Sequence, residues 1–314
     1  MSVALLSFAF LVATVCAAIM GYAIQRGATC MVAAVDEVLS KRTAWRFLGL
    51  AEAAVWVAGG VLLWRVLGGH ETLPIGYPAT LATVAGGLLL GLGAFVTRAC
   101  VFGAIARFGS GEWAYVLTPI GFYLGCLTIW PLIGGFPAMH VASPLFDAGW
   151  LLIPFAVFVA WRGVEAIRAG RARTLAAHVW TPHRATAVIG IVFAISLIAV
   201  GPWAYTYALL SLAQGKTDGV IVKLVLLFML FAGALVGGWT AGRLKLRAPT
   251  LETVIRCLGG GVLMGWGSLL IPGGNDELLL VGIPLLQPYA GVAVASMAVA
   301  IALGLVVERR IVAR

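Results

Sequence analysis

This sequence predicts an all-α polytopic membrane protein, with about nine transmembrane helices and four short re-entrant helices in an inverted repeat. Three observations carry that prediction. Of 314 residues, 62% are hydrophobic and 11% charged, with a mean hydropathy of +1.04; a soluble domain has about 25% charged residues. The basic residues gather between alternate apolar runs. A glycine-studded apolar run at 86–111 also returns 174 positions later, at 260–285.

A membrane span needs roughly 20 apolar residues. The candidate spans, in order, are 2–24, 44–67, 79–97, 113–133, 149–168, 186–201, 219–242, 254–271 and 288–307. The first run lacks a basic flank ahead of it and is long enough to span, so it reads as a retained helix rather than a cleaved signal. Four shorter pieces lie near 27–39, 100–108, 203–214 and 275–285. Each follows a break rich in Gly, Pro or polar residues. The 40 glycines and 13 prolines suit closely packed and interrupted membrane helices. Trp45, Trp64, Trp113, Trp130, Trp150 and Trp180 fall near span ends, as an interfacial belt does.

Charge orients the chain. With the N-terminus outside, only Arg65, Lys216 and Lys223 of the 21 basic residues face out. The rest, from Arg26, Lys41, Arg42 and Arg46 to Arg309, Arg310 and Arg314, fall in inward loops. That bias predicts an N-out, C-in membrane protein with an odd number of spans. It also accounts for the net charge of +9 without nucleic acid as a partner.

The repeat follows from the offset. Gly86, Gly87, Leu89, Gly91 and Gly93 fall on Gly260, Gly261, Leu263, Gly265 and Gly267 without a gap. The break at Arg98, Ala99 and Cys100 falls on Pro272, Gly273 and Gly274, and Gly27, Ala28, Thr29 and Cys30 fall on Gly201, Pro202, Trp203 and Ala204. Residues 1–135 read as the first repeat, 136–184 as a connector helix with a basic loop, and 185–314 as the second repeat, all in one membrane domain. Five spans before the second unit invert it. Interrupted apolar segments at matching places in two halves point to a substrate pathway.

A helix starting inside a membrane leaves backbone N–H groups unpaired and presents its positive dipole end. Such ends attract anions. Gly273 and Gly274 let the backbone approach closely, and Asn275 or Asp276 can cap; a plain re-entrant turn explains the same residues. Arg98 is either a functional cation at membrane depth or a snorkelling arginine at the inner boundary. Asp36, Glu37 and Arg107 read as interfacial residues that pair or cap. Cys30 and Cys100, each just past a break, are weak S–H donors able to meet a soft sulfur anion without a fixed charge. The alternative for both is packing, as for Cys16 and Cys126 within plain spans, and Cys257 fits either role.

The five cysteines show no CxxC and the four histidines are scattered, so no metal site or cofactor is expected. No GxSxG, Walker, HExxH or haem-type pattern occurs, so the protein is not expected to be an enzyme.

At Gly27, Ala28, Thr29 and Cys30, at 98–104 with Gly109, Ser110 and Gly111, and at 272–276 with Gly282 and Pro284, the chain resembles the YeeE/YedE (sulphur transport, DUF395) family. The similarity covers nearly the whole chain. It implies nine long and four short helices forming an hourglass-shaped thiosulfate importer. In that family, cysteines on the short segments contact thiosulfate in turn through S–H hydrogen bonds, and Cys30 and Cys100 match two such positions. The second-half pathway cysteine of some members is here Gly274, which leaves sulfite, sulfide or a selenium anion as alternative substrates. A small cytoplasmic TusA-like sulfur carrier is the partner the resemblance implies. The rival expectation is a non-transporting membrane anchor for a sulfurtransferase or redox partner.

Overall fold

The computed structural model describes residues 7–69, 76–133, 143–216 and 219–312. Arg314, the first residues of the 2–24 span, and the 134–142 stretch at the first repeat's end lie outside them. Among the described residues, nine helices are long and apolar enough to cross a membrane. They are α1 (Phe8–Gly27), α3 (Trp45–Val66), α4 (Leu81–Thr97), α6 (Leu117–Ile133), α7 (Leu152–Arg171), α9 (Pro182–Val200), α11 (Val220–Thr240), α12 (Leu251–Leu270) and α14 (Pro288–Val312). The short pieces are α2 (Met31–Lys41), α5 (Val101–Gly109), α10 (Tyr205–Ala213) and α13 (Asn275–Glu277), which continues as a π-turn over Leu278–Gly282. A minor helix, α8 (Leu175–Val179), follows α7. No strand occurs among the described residues, in keeping with the predicted all-α class.

Local chemistry sets the helix ends. Ser7 accepts from the Phe10 N–H at 3.2 Å to open α1, and Thr250 accepts from Thr253 at 3.2 Å to open α12. Pro182 sits in the first turn of α9, where its missing N–H costs nothing. The helices that precede α2 and α5 stop at left-handed residues, Ala28 and Arg98.

The long helices pair across the two halves rather than within them. Helix α1 packs on α9 and α11, and α9 packs on α3; in the same way α4 packs on α12 and α14, and α12 packs on α6. The result is two groups of four, α1/α3/α9/α11 and α4/α6/α12/α14, each drawn from both halves. The repeated glycines explain one of these crossings. A Cβ on Gly93 would sit 2.5 Å from the Gly260 carbonyl, and a Cβ on Gly260 would sit 2.6 Å from the Gly93 carbonyl. Gly86 and Gly267 form the matching pair, at 2.7 and 2.5 Å. Backbones this close gain dispersion that larger side chains would forbid. Under the 174 offset the first pair maps onto the second, so α4 and α12 cross about a local pseudo-two-fold axis.

Helix α7 stays outside both groups and leans on α3. Its contact is polar as well as aromatic. Glu52 of α3, with a side chain only 5% exposed, bonds Arg162 and lies 3.1 Å from His183 Nε2, while Glu165 holds Arg162 at 2.7 Å and Arg184 at 2.8 Å.

The short helices join the two groups. Helix α2 follows α1 yet rests on α14, and α5 follows α4 yet rests on α11 and α1. Helix α10 follows α9 and rests on α6, and the π-turn of α13 reaches α3.

Candidate functional site

The four short helices begin at residues related by the same offset. Their N-caps are Cys30, Cys100, Ala204 and Gly274, all with extended backbone. Because each short helix crosses between the groups, the four starts meet there, and each caps or touches another. The Met31 N–H of α2 donates to Cys100 Sγ at 3.1 Å. The Val101 N–H of α5 donates to Asn275 Oδ1 at 3.3 Å. The Tyr205 hydroxyl of α10 donates to the Val101 carbonyl at 3.2 Å. The Thr206 N–H donates to Asp276 Oδ2 at 3.2 Å, and the Thr206 hydroxyl donates to Asp276 Oδ1.

Asn275 and Asp276 therefore cap other helices, the starts of α5 and α10, rather than their own. The sequence places them at a break; it does not say whose N–H groups they satisfy. Asp276 puts a carboxylate on the start of α10, whereas Asn275 offers α5 a neutral oxygen and keeps its Nδ2 without a partner. Thr29 Oγ1 and Trp203 Nε1 are also buried and without partners. Thr29 and Trp203 hold equivalent places in the two halves. Buried polar groups are almost always paired, so these three donors stand out near the helix starts, although Trp56, Thr118 and Ser196 elsewhere in the protein share the condition.

A cavity of about 410 Å³ reaches this junction from one side. Its wall includes Cys30, Gly103, Arg46, Arg98, Arg107 and Glu308. Cys30 is partly exposed there and Cys100 is fully buried behind it, the two thiols close enough to interact. Gly103 makes the approach tight: a Cβ on it would lie 2.6 Å from Cys30 Sγ. Arg98 stands on the rim, half-exposed and held by Glu308 at 2.5 Å. The nearby ions pair as the sequence suggests, Asp36 with Arg309 at 2.6 Å, Glu37 with Arg46 at 3.3 Å and Arg107 with Glu112 at 3.2 Å.

Gly274 departs from its first-half counterpart Cys100 for a steric reason. A Cβ there would meet Thr206 Oγ1 at 2.4 Å and Thr206 Cβ at 2.6 Å. The Cys126 thiol of α6 donates to the Gly265 carbonyl of α12 at 3.6 Å, and Cys257 sits in a buried cluster with Ala99, Phe108 and Tyr115. No group of three or more His, Cys, Asp or Glu capable of holding a metal occurs among the described residues. Sequence reasoning had not singled out Tyr205, Thr206 or the side chain of Trp203. The offset from Thr29 to Trp203 was the available signal.

The family model described as Sulphur transport matches residues 26–303, most of the chain and all four helix starts. The chain belongs to the sulphur transport family. The YeeE/YedE resemblance is thereby borne out. Over 295 residues, the chain is 23% identical to the thiosulfate transporter TsuA of Escherichia coli (strain K12), covering 82% of this chain and 83% of that one. As a member of the sulphur transport family, this multi-pass membrane protein is a transporter of a sulfur anion rather than an enzyme.

Proposed function

We propose that the protein imports thiosulfate, or a closely related inorganic sulfur anion, through the junction of the four helix starts. The observation that carries this reading is Cys30 on the wall of the arginine-lined cavity with Cys100 buried directly behind it. A thiol donates a weak hydrogen bond to a terminal sulfur and releases it readily, because no fixed charge is involved. Helix starts add about 0.3–1 kcal/mol each for an anion, more where water is excluded. The anion passes the Gly273–Gly274 break, meets the free donors of Asn275, Trp203 and Thr29, and moves from Cys100 to Cys30. Arg98, Arg46 and Arg107 then draw it into the cavity.

In this reading the cavity faces the cytoplasm of a bacterial inner membrane, with the N-terminus outside and the C-terminus inside. The two inverted repeats are residues 1–135 and 185–314. The exposed Arg168, Arg171, Arg173, Arg243, Lys245 and Arg247 share the cavity's side by charge, and suit an acidic TusA-like sulfur carrier collecting the product. A periplasm-active reporter fused within the 172–181 loop should be silent and a cytoplasm-active one bright; the opposite pattern reverses the orientation.

The deciding experiment is uptake of radiolabelled thiosulfate by vesicles holding the purified protein. Wild type should accumulate label, and a pure anchor for a sulfurtransferase would not. Cys100→Ala should abolish uptake with the protein still folded, Cys100→Ser should restore little, and Cys16→Ala and Cys126→Ala should be near wild type. Normal uptake by Cys100→Ala ends the thiol mechanism.

A further inference from the structure

On the side of the junction away from the arginine-lined cavity stands a buried acid that the transport reading does not use. Glu277 is 8% exposed, and its Oε2 has no hydrogen-bond partner. It closes over the second-half break: a Cβ on Gly273 would lie 2.7 Å from Glu277 Oε2. Asp276 is the neighbouring residue, and its two oxygens are taken by the Thr206 N–H and hydroxyl. Tyr207 of α10, Tyr289 of α14 and Tyr77 ahead of α4 lie within electrostatic range of Glu277. Helices α3 and α5 also pack on this segment and bring no charge to it. None of the ion pairs among the described residues includes Glu277 or Asp276.

A carboxylate is costly in such a place. Buried charges are ordinarily paired, and an unpaired buried acid neutralises by taking a proton. Of the two neighbouring acids, Asp276 is satisfied as an anion and Glu277 is not, so the proton belongs to Glu277. An ionised Glu277 beside the break would repel a dianion arriving there; a protonated one offers an O–H donor instead.

We infer that Glu277 is a proton-binding site linked to the anion site at the Gly273–Gly274 break, such that the anion binds together with one proton on this carboxyl. The inference rests on the proposed anion pathway and adds the ion that accompanies the substrate. Linkage makes it reciprocal: the proton favours the anion, and the anion favours the proton.

Titration calorimetry of the full-length protein with sodium thiosulfate, from mildly acidic to mildly alkaline pH, tests it. Wild-type affinity should fall roughly tenfold per pH unit once Glu277 ionises in the free protein. Repeating the titration in buffers of different ionisation enthalpy should reveal proton uptake on binding. Glu277→Gln, a neutral mimic of the protonated acid, should bind with no pH dependence and no proton uptake. A pH-independent wild type, or a Glu277→Gln variant with wild-type pH dependence, overturns the proton site and leaves the anion pathway standing. Absence of thiosulfate binding to wild type at every pH overturns both. Should Glu277→Gln fail to fold, infrared difference spectra of wild type decide: a protonated-carboxyl band should vanish at alkaline pH and return on adding thiosulfate. Its absence, or its loss in Asp276→Asn, rejects the assignment to Glu277. Cys30 and Cys100 absorb in a separate S–H region and do not confuse the reading.

Discussion

Gly103→Ala is the sharpest available probe of the thiol pair, because it adds one methyl group and no charge. The new Cβ would stand 2.6 Å from Cys30 Sγ, 3.1 Å from Ala99 Cβ and 3.2 Å from Cys30 Cβ. Comfortable contact between such atoms is about 3.5–4.0 Å, so the overlap with sulfur is on the order of 1 Å. Overpacking of this size costs about 1–3 kcal/mol where nothing can move. Here something can: Cys30 borders the cavity, so its side chain can swing away from Cys100 into open space. The stability loss should therefore sit near the low end, about 1 kcal/mol, a fall of a few degrees in Tm. Function should suffer far more, since the rotation separates the two thiols. We expect thiosulfate uptake per folded molecule to drop at least about tenfold, equivalent to 1.4 kcal/mol in the hand-over step. Vesicle uptake and thermal unfolding measured on the same preparation separate the two effects. Gly163→Ala on α7, with nothing within 4 Å of its Cβ, serves as the control and should change neither. If Gly103→Ala folds and transports like wild type, contact between Cys30 and Cys100 is not part of the pathway.

Two further predictions concern residues that the tertiary structure brought together. Glu52→Ala removes the buried carboxylate that holds Arg162 and His183, yet leaves Arg162 its bond to Glu165. The loss should be about 1–3 kcal/mol, below the 3–5 of a fully orphaned buried charge, with faster tryptic cleavage after Arg168–Arg173 as α7 loosens. Unchanged proteolysis would mean that the aromatic contacts alone hold α7. Gly274→Cys should destabilise by its overlap with Thr206, and adding Thr206→Ala should recover part of the loss. A coupling of about 1–2 kcal/mol between the two changes in thermal unfolding is expected, and strict additivity counts against the steric account of Gly274.

Much of this could be read from the chain because a bilayer imposes strong local rules. Apolar runs of spanning length mark the helices, and an unsatisfied backbone is tolerated in a membrane only where it lines protein or water. The breaks at Gly27–Cys30, Arg98–Cys100 and Pro272–Gly274 therefore stood out, and their spacing marked the repeat. Cys30, Cys100 and Asn275 were legible as candidates because they sit on those breaks. Thr206 and Glu277 were not. Thr206 resembles any helix-start threonine until Asp276 is seen to bond it from 70 residues away. Glu277 reads as one more charge after a cap until its burial and lack of a cation are known.

The sequence by itself determined the class of protein, the number of its spans with ends placed to within several residues, and the positions of its four interruptions. These depend on interactions within one segment: hydropathy against lipid, hydrogen bonds along one helix, and backbone freedom at a turn. Only the tertiary structure decided which segments meet. Nothing local tells α1 to pack on α9 and α11 rather than on α3, or assigns Asn275 to α5 and Asp276 to α10. Those choices come from shape and polar matching between helices far apart in sequence. Gly93 fits Gly260 because each lacks a side chain where the other's carbonyl lies, and a single helix cannot express that complementarity.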